Sequence, residues 1–143
     1  MNRTEREVAR WLSHDADVRL DVRAGSRERV FALAAEALSA FLRGGRASPA
    51  PDRRAIRLEA QDSEALLVAW LNEVAYLAGS GVFFTVRVPS VVLSATSIEA
   101  ELAGAGPGPS FPALTREVKA ATYHGLDLTE RNGTFRATIL FDV

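Results

Sequence analysis

A chain of 143 residues, 48% of them hydrophobic, has enough apolar material for one core, and a single domain over residues 1–143 is the expectation. Its 17 basic and 18 acidic residues leave a net charge of −1, so it lacks the general basic field that holds nucleic acid by its phosphates. The absence of cysteine excludes disulfides, thiolate metal sites and cysteine nucleophiles. The charged opening MNRTEREVARWL has no apolar signal-peptide core, and no run approaches the roughly 18 apolar residues of a membrane helix, so a soluble cytoplasmic protein without membrane contact is expected.

Residues 1–13 place Val8, Trp11 and Leu12 among mixed charges, a pattern open to a short helix or a leading strand. In residues 17–23, Val18, Leu20 and Val22 alternate with Asp17, Arg19, Asp21 and Arg23, which predicts a half-buried strand with a charged outer face. Ser26 is placed to N-cap a helix whose Val30, Ala34, Ala37, Leu38 and Phe41 form one apolar stripe, stopped at Gly44-Gly45. Residues 46–53 (RASPAPDR) read as a surface loop, and residues 55–59 as a strand. Asp62 or Ser63 can cap a second helix in which Leu67, Trp70, Leu71, Val74, Leu77 and Ala78 are the core stripe, with Asn72 and Glu73 on its flank.

Gly79-Ser80-Gly81 breaks that helix, and the β-branched and aromatic run 82–95 predicts a strand disturbed at Pro89, with residues 98–102 returning as its hairpin partner. Residues 103–113 (AGAGPGPSFPA) form a loop. Residues 117–128 read as a strand with Val118, Ala120, Thr122, Leu126 and Leu128 on one face and Glu117, Lys119, Tyr123 and Asp127 on the other. Lys119 either reaches water beside the sheet or points into a polar site. Asn132-Gly133 marks a tight hairpin turn, and in the last strand Phe135, Ala137, Ile139, Phe141 and Val143 face the core opposite Arg136, Thr138, Leu140 and Asp142. The order predicts an α+β domain: a mixed or antiparallel β-sheet with two helices packed on one face and charge on the other.

Chemistry-bearing residues are few. Asp17 begins one strand, Asp142 sits near the end of another, and the α-carboxylate of Val143 follows. If those strands are close in the sheet, the three groups form an oxygen cluster suited to a hard divalent cation such as Ca²⁺ or Mg²⁺, which His14 could join or orient. Strand aspartates on a polar face are more often simply solvated. Beyond His14 and His124 there is no histidine, no G-x-S-x-G or H-E-x-x-H pattern and no zinc-ligand spacing, and prolines interrupt the glycines of 103–108, so no phosphate-cradling loop or catalytic residue is identified.

Four motifs carry a family resemblance. SHDADV around His14 and Asp17 resembles HTADV of the archease family, AWLNEVAYL resembles its DWLNELLYL, EVKAATYHGLDL its EVKAVTYHGLEV, and the terminal FDV its FDI. Together they span residues 13–143. The resemblance implies a small α+β accessory protein, not itself an enzyme, that activates an RtcB-type RNA ligase in tRNA splicing and RNA repair. It implies help with guanylylation and multiple turnover of the ligase, with RNA and GTP met only through that partner. It also implies a Ca²⁺ site at Asp17, Asp142 and Val143, the cluster reached from strand phase, and a functional role for Lys119. The chain departs from the pattern at Asp15, where the family has threonine, and at Ala69, where it has an acid. It departs again at Gly79-Ser80-Gly81 and in AGAGPGPSFPALTR, which lacks the family's acids and histidine. The competing reading is a self-sufficient metal-dependent enzyme or small-ligand domain using the same carboxylates; no base held by an orienting group stands beside the aspartates to favour it.

Overall fold

The computed structural model describes residues 7–14 and 17–143, and only the backbone of His14, His124 and Gly125. Among the described residues there are seven strands and two helices: β1 (Val8–His14), β2 (Asp17–Ala24), α1 (Arg27–Leu42), β3 (Asp52–Glu59), α2 (Ser63–Gly79), β4 (Phe84–Leu93), β5 (Ser97–Ala105), β6 (Ala120–Arg131) and β7 (Thr134–Asp142). The leading segment is therefore a strand. The α+β class with two helices agrees with the sequence pattern, but the strands divide between two antiparallel sheets where one sheet was expected: a four-stranded sheet ordered β1-β2-β7-β6 and a three-stranded sheet ordered β3-β5-β4. Alternation within a strand reports which face is buried and says nothing of which strand pairs with which, so the division was invisible to it.

Local chemistry sets the boundaries. The Ser26 hydroxyl accepts from the Arg29 N–H at 3.1 Å and the Asp62 carboxylate from the Ala65 N–H at 2.8 Å, each relieving an orphan donor in the first turn of its helix. Arg29 also holds Glu7 through two hydrogen bonds, of 2.9 and 3.2 Å, fastening the entry of β1 to the start of α1. That bonding raises the Arg29 pKa above its ordinary value, chiefly through the Glu7 hydrogen bond. Asn132 and Gly133 take φ of 55° and 78°, the left-handed pair that a two-residue hairpin turn requires.

The apolar stripes meet in one buried cluster. Trp70 is fully buried and its indole N–H donates to the Phe31 carbonyl at 2.9 Å, tying α2 to α1, as its reading as core rather than ligand box requires. Trp11 of β1 stacks on Phe41 of α1 with ring centroids 4.5 Å apart and tilts against Phe141 of β7 at 5.5 Å. At the disturbed middle of β4, where the pairing with β5 shifts register beside Pro89, the Glu36 carboxylate of α1 accepts from the Val88 N–H at 2.9 Å. A carboxylate from the helix thus takes over a donor that the bulge removes from the ladder.

β5 runs through Ala105, three residues into the stretch expected to be loop, and Gly104 explains how. A Cβ there would lie 1.8 Å from the Phe84 carbonyl oxygen, so the close approach of β4 and β5 depends on glycine at this position. Gly104→Ala is expected to cost about 3 kcal/mol, because backbone rather than a flexible side chain must give way, and a urea denaturation curve against the wild type measures it.

Candidate functional site

The β2–β7 register decides the carboxylate question. Asp17 stands directly opposite Asp142, and the pairing continues through Val18–Phe141 and Leu20–Ile139. Directly opposed residues of an antiparallel pair project to the same face with Cβ atoms about 4.5–5.5 Å apart, so the two carboxylates share the outer face of the four-stranded sheet. Asp17 is half-buried and Asp142 exposed. On the neighbouring strands, His14 of β1 is the register partner of Asp17, and Ala120 of β6 is that of Asp142. The row across the sheet is therefore His14, Asp17, Asp142, Ala120. The His14 and His124 side chains, and Asp15, lie outside what is described.

Lys119 reaches this row through its backbone. It sits one residue before β6 and donates its N–H to the Asp142 carbonyl at 2.8 Å, while its side chain is exposed. The strand begins at Ala120, later than its alternation predicts, because the preceding segment is already engaged. The Thr115 and Arg116 N–H groups both donate to the Leu42 carbonyl at the end of α1, at 2.9 and 3.3 Å. Lys119, Tyr123 and Asp127 are exposed as expected, but Ala121, on the same alternation, is buried. A register irregularity between Thr122 and Asp127 restores the phase that brings Leu126 and Leu128 against the core.

Asn72 is the residue that alternation and motif chemistry missed. Its side-chain oxygen accepts from the Ala121 N–H at 2.7 Å, and its amide NH₂ donates toward the Ala121 carbonyl at 3.5 Å. The helix flank thereby grips both backbone groups of one residue and pins the entry of β6, and with it Lys119, against α2. A signal was available: asparagine in mid-helix is a poor helix former that wants a partner. Beside it an open groove of about 420 Å³ runs between α2 and the approach to β6, lined by Asn72, Tyr76, Ser80, Val118, Lys119 and Ala120.

Val143 departs from its expected place. Its side chain is 42% exposed rather than core-facing, since β2 begins at Asp17, already paired with Asp142, and offers no described partner further on. Its backbone follows directly on Asp142 in the chain. Among the described residues, no group of three His, Cys, Asp or Glu side chains could hold a metal ion. Two opposed carboxylates and a main-chain oxygen are hard donors that fit a hydrated Ca²⁺ or Mg²⁺, with water filling the remaining positions, and fit a softer transition metal poorly.

Comparison with known proteins places this geometry. The profile of the archease protein family (MTH1598/TM1083) matches residues 10–143. The chain belongs to the archease family. Protein archease of Methanosarcina barkeri is 30% identical over 137 residues, covering 93% of this chain and 94% of the relative, and that of Methanosarcina mazei is 29% identical with the same coverage. The solution structure of Methanobacterium thermoautotrophicum protein 1598 superposes with a TM-score of 0.76 at 20% identity, covering 94% of this chain and 98% of that one. A crystal structure of an archease from Thermotoga maritima, described as a possible chaperone, gives 0.61 at 14% identity over 92% and 94%. The family thus agrees with the resemblance carried by the four motifs, and no described helix is long and apolar enough to cross a membrane.

Asn72→Ala leaves the Ala121 N–H and carbonyl without their partner, and is expected to cost about 1–3 kcal/mol. Hydrogen exchange at the Ala121 amide should accelerate in that variant while exchange in β3–β5 is unchanged.

Proposed function

We propose that this archease is an accessory activator of an RtcB-type RNA ligase acting in tRNA splicing or RNA repair, promoting guanylylation and repeated turnover of the ligase without catalysing a reaction of its own. Archease membership supports the reading, and the observation that carries it to particular residues is the direct opposition of Asp17 and Asp142 with Lys119 bonded to the Asp142 backbone. Asp17, Asp142 and the main-chain oxygen of Val143 would hold a hard divalent cation, Ca²⁺ by the family resemblance. Such an ion would offset the repulsion of two like charges placed opposite one another.

Lys119, tied to Asp142 through its backbone N–H, presents a point charge on the groove that also exposes Tyr76. In the complex it meets a phosphate or carboxylate of the ligase centre. RNA and GTP are bound by the ligase, in keeping with a net charge of −1 on this chain. The protein works in the compartment of its ligase, the cytoplasm.

The test is single-turnover labelling of the cognate ligase with GTP, followed by multiple-turnover RNA joining, with and without this protein. Wild type should accelerate both, Asp142→Ala should abolish the effect while keeping the fold, and Lys119→Ala should reduce it with little change in cation affinity. If wild type leaves both rates unaltered, the accessory reading fails.

The Val143 oxygens can be examined separately. Extending the chain past Val143 with a short tag should weaken calcium binding by about tenfold, measured by calorimetry. Equal affinities would exclude the carboxylate at that position as a ligand.

A further inference from the structure

The outer face of the β1-β2-β7-β6 sheet carries a second charge cluster six residues along β2 from Asp17, about 20 Å away. On the three-stranded sheet, two arginines of β3 are matched by acids: Arg57 stands opposite Glu99 and reaches it at 3.5 Å and its strand neighbour Glu59 at 2.9 Å, and Arg53 reaches Glu101 at 3.0 Å. On the four-stranded sheet the matching breaks. Arg23 of β2 stands directly opposite Arg136 of β7, with Val8 of β1 on its other side.

Neither guanidinium has a carboxylate partner among the described residues, and the Arg23 Nε is sealed from water without a hydrogen bond. The acid in the next row, Asp21, is already shared: it accepts from Arg19 at 3.1 Å and from the Thr138 hydroxyl at 3.2 Å, and Arg10 approaches it at 3.8 Å. Asp127 of β6, opposite Thr138, is exposed and makes no ion pair with a described residue. Val8, Arg10, Asp21, Arg23, Arg136 and Thr138 line an open depression of about 260 Å³.

Like charges opposed across a strand pair destabilise it, and a buried donor without an acceptor adds a further cost. One anion between the guanidiniums removes both. Three guanidiniums against one carboxylate leave two positive charges in the depression, which match a phosphate monoester carrying about −1.5 to −2 better than a carboxylate carrying one. The planar donor forks of arginine suit phosphate oxygens in the same way.

We propose that Arg10, Arg23 and Arg136 form a binding site for a single phosphate group, taken as the free dianion or as the terminal phosphate of a nucleotide whose sugar and base extend into solvent. The site is independent of the cation site and does not rest on ligase activation.

The test is calorimetric titration of the full chain at low ionic strength with inorganic phosphate and, separately, with adenosine 5′-monophosphate. Saturable binding is expected, weakened at least about tenfold by Arg136→Gln and by Arg23→Gln and unchanged by Arg53→Gln on the other sheet. Equal affinities for the two ligands assign the site to the free anion; clearly tighter binding of the nucleotide assigns it to a phosphorylated end. A thermal scan separates loss of the site from loss of the fold. Without phosphate, Arg136→Gln should melt at or above the wild-type midpoint because the opposed charge is gone, and phosphate should raise the midpoint of wild type only. No saturable binding of either ligand, or binding that survives both arginine substitutions, overturns the proposal.

Discussion

The antiparallel pairing of β2 with β7 is the constraint from which both like-charge oppositions of the outer face follow. Its register runs from Asp17–Asp142 to Ala24–Phe135, and the inward rows it creates, Leu20–Ile139 and Val22–Ala137, are almost completely buried. A slip of one residue would turn Leu20, Val22 and Ala24 to the solvent face. Burying a large aliphatic side chain contributes about 1.5–3 kcal/mol. A like-charge opposition on the other face costs at most about 1 kcal/mol per pair. The core therefore dictates the register, and the opposed aspartates and opposed arginines are its consequence, retained in a fold that could remove them only by changing the residues themselves.

Around that pairing, helices act on the sheets through their polar groups as well as their apolar stripes. Asn72 holds both backbone groups of Ala121, Glu36 takes up the Val88 N–H at the bulge, and the end of α1 receives two N–H groups from the segment leading to Lys119. Each of these joins a helix to a place where a strand is interrupted or begins. The irregular parts of the chain are fixed in this way to the regular ones, which is how an exposed lysine outside any strand comes to a defined position beside Asp142.

Features that depend on neighbours in the chain were legible before any coordinates. The Ser26 and Asp62 caps, the two helical stripes, the break at Pro89, the Asn132-Gly133 turn and the phase of β2 and β7 all follow from spacing and side-chain chemistry within a few residues. Asp17 and Asp142 were found to share a face only on the condition that their strands meet, since pairing across more than a hundred residues leaves no local mark. The same limit hid the division into two sheets, the burial of Ala121 and the role of Asn72. Val143 was misplaced for a related reason: alternation carries on past the point where the partner strand offers a place to pair.

The strand order also separates what can assemble early from what must wait. β4 and β5 are hairpin neighbours and β3 lies just across α2 from them, so the three-stranded sheet and both helices draw on contacts of short or moderate reach. The four-stranded sheet closes only when β7 inserts between β2 and β6, and the bond from Thr138 to Asp21 spans 117 residues. Non-local closure of this kind is slow relative to hairpin and helix formation. Until it happens the β1–β2 hairpin shows an unpaired edge along β2, the very edge that later orders the aspartates, and during synthesis it is the segment most open to capture by another strand or by a holding protein.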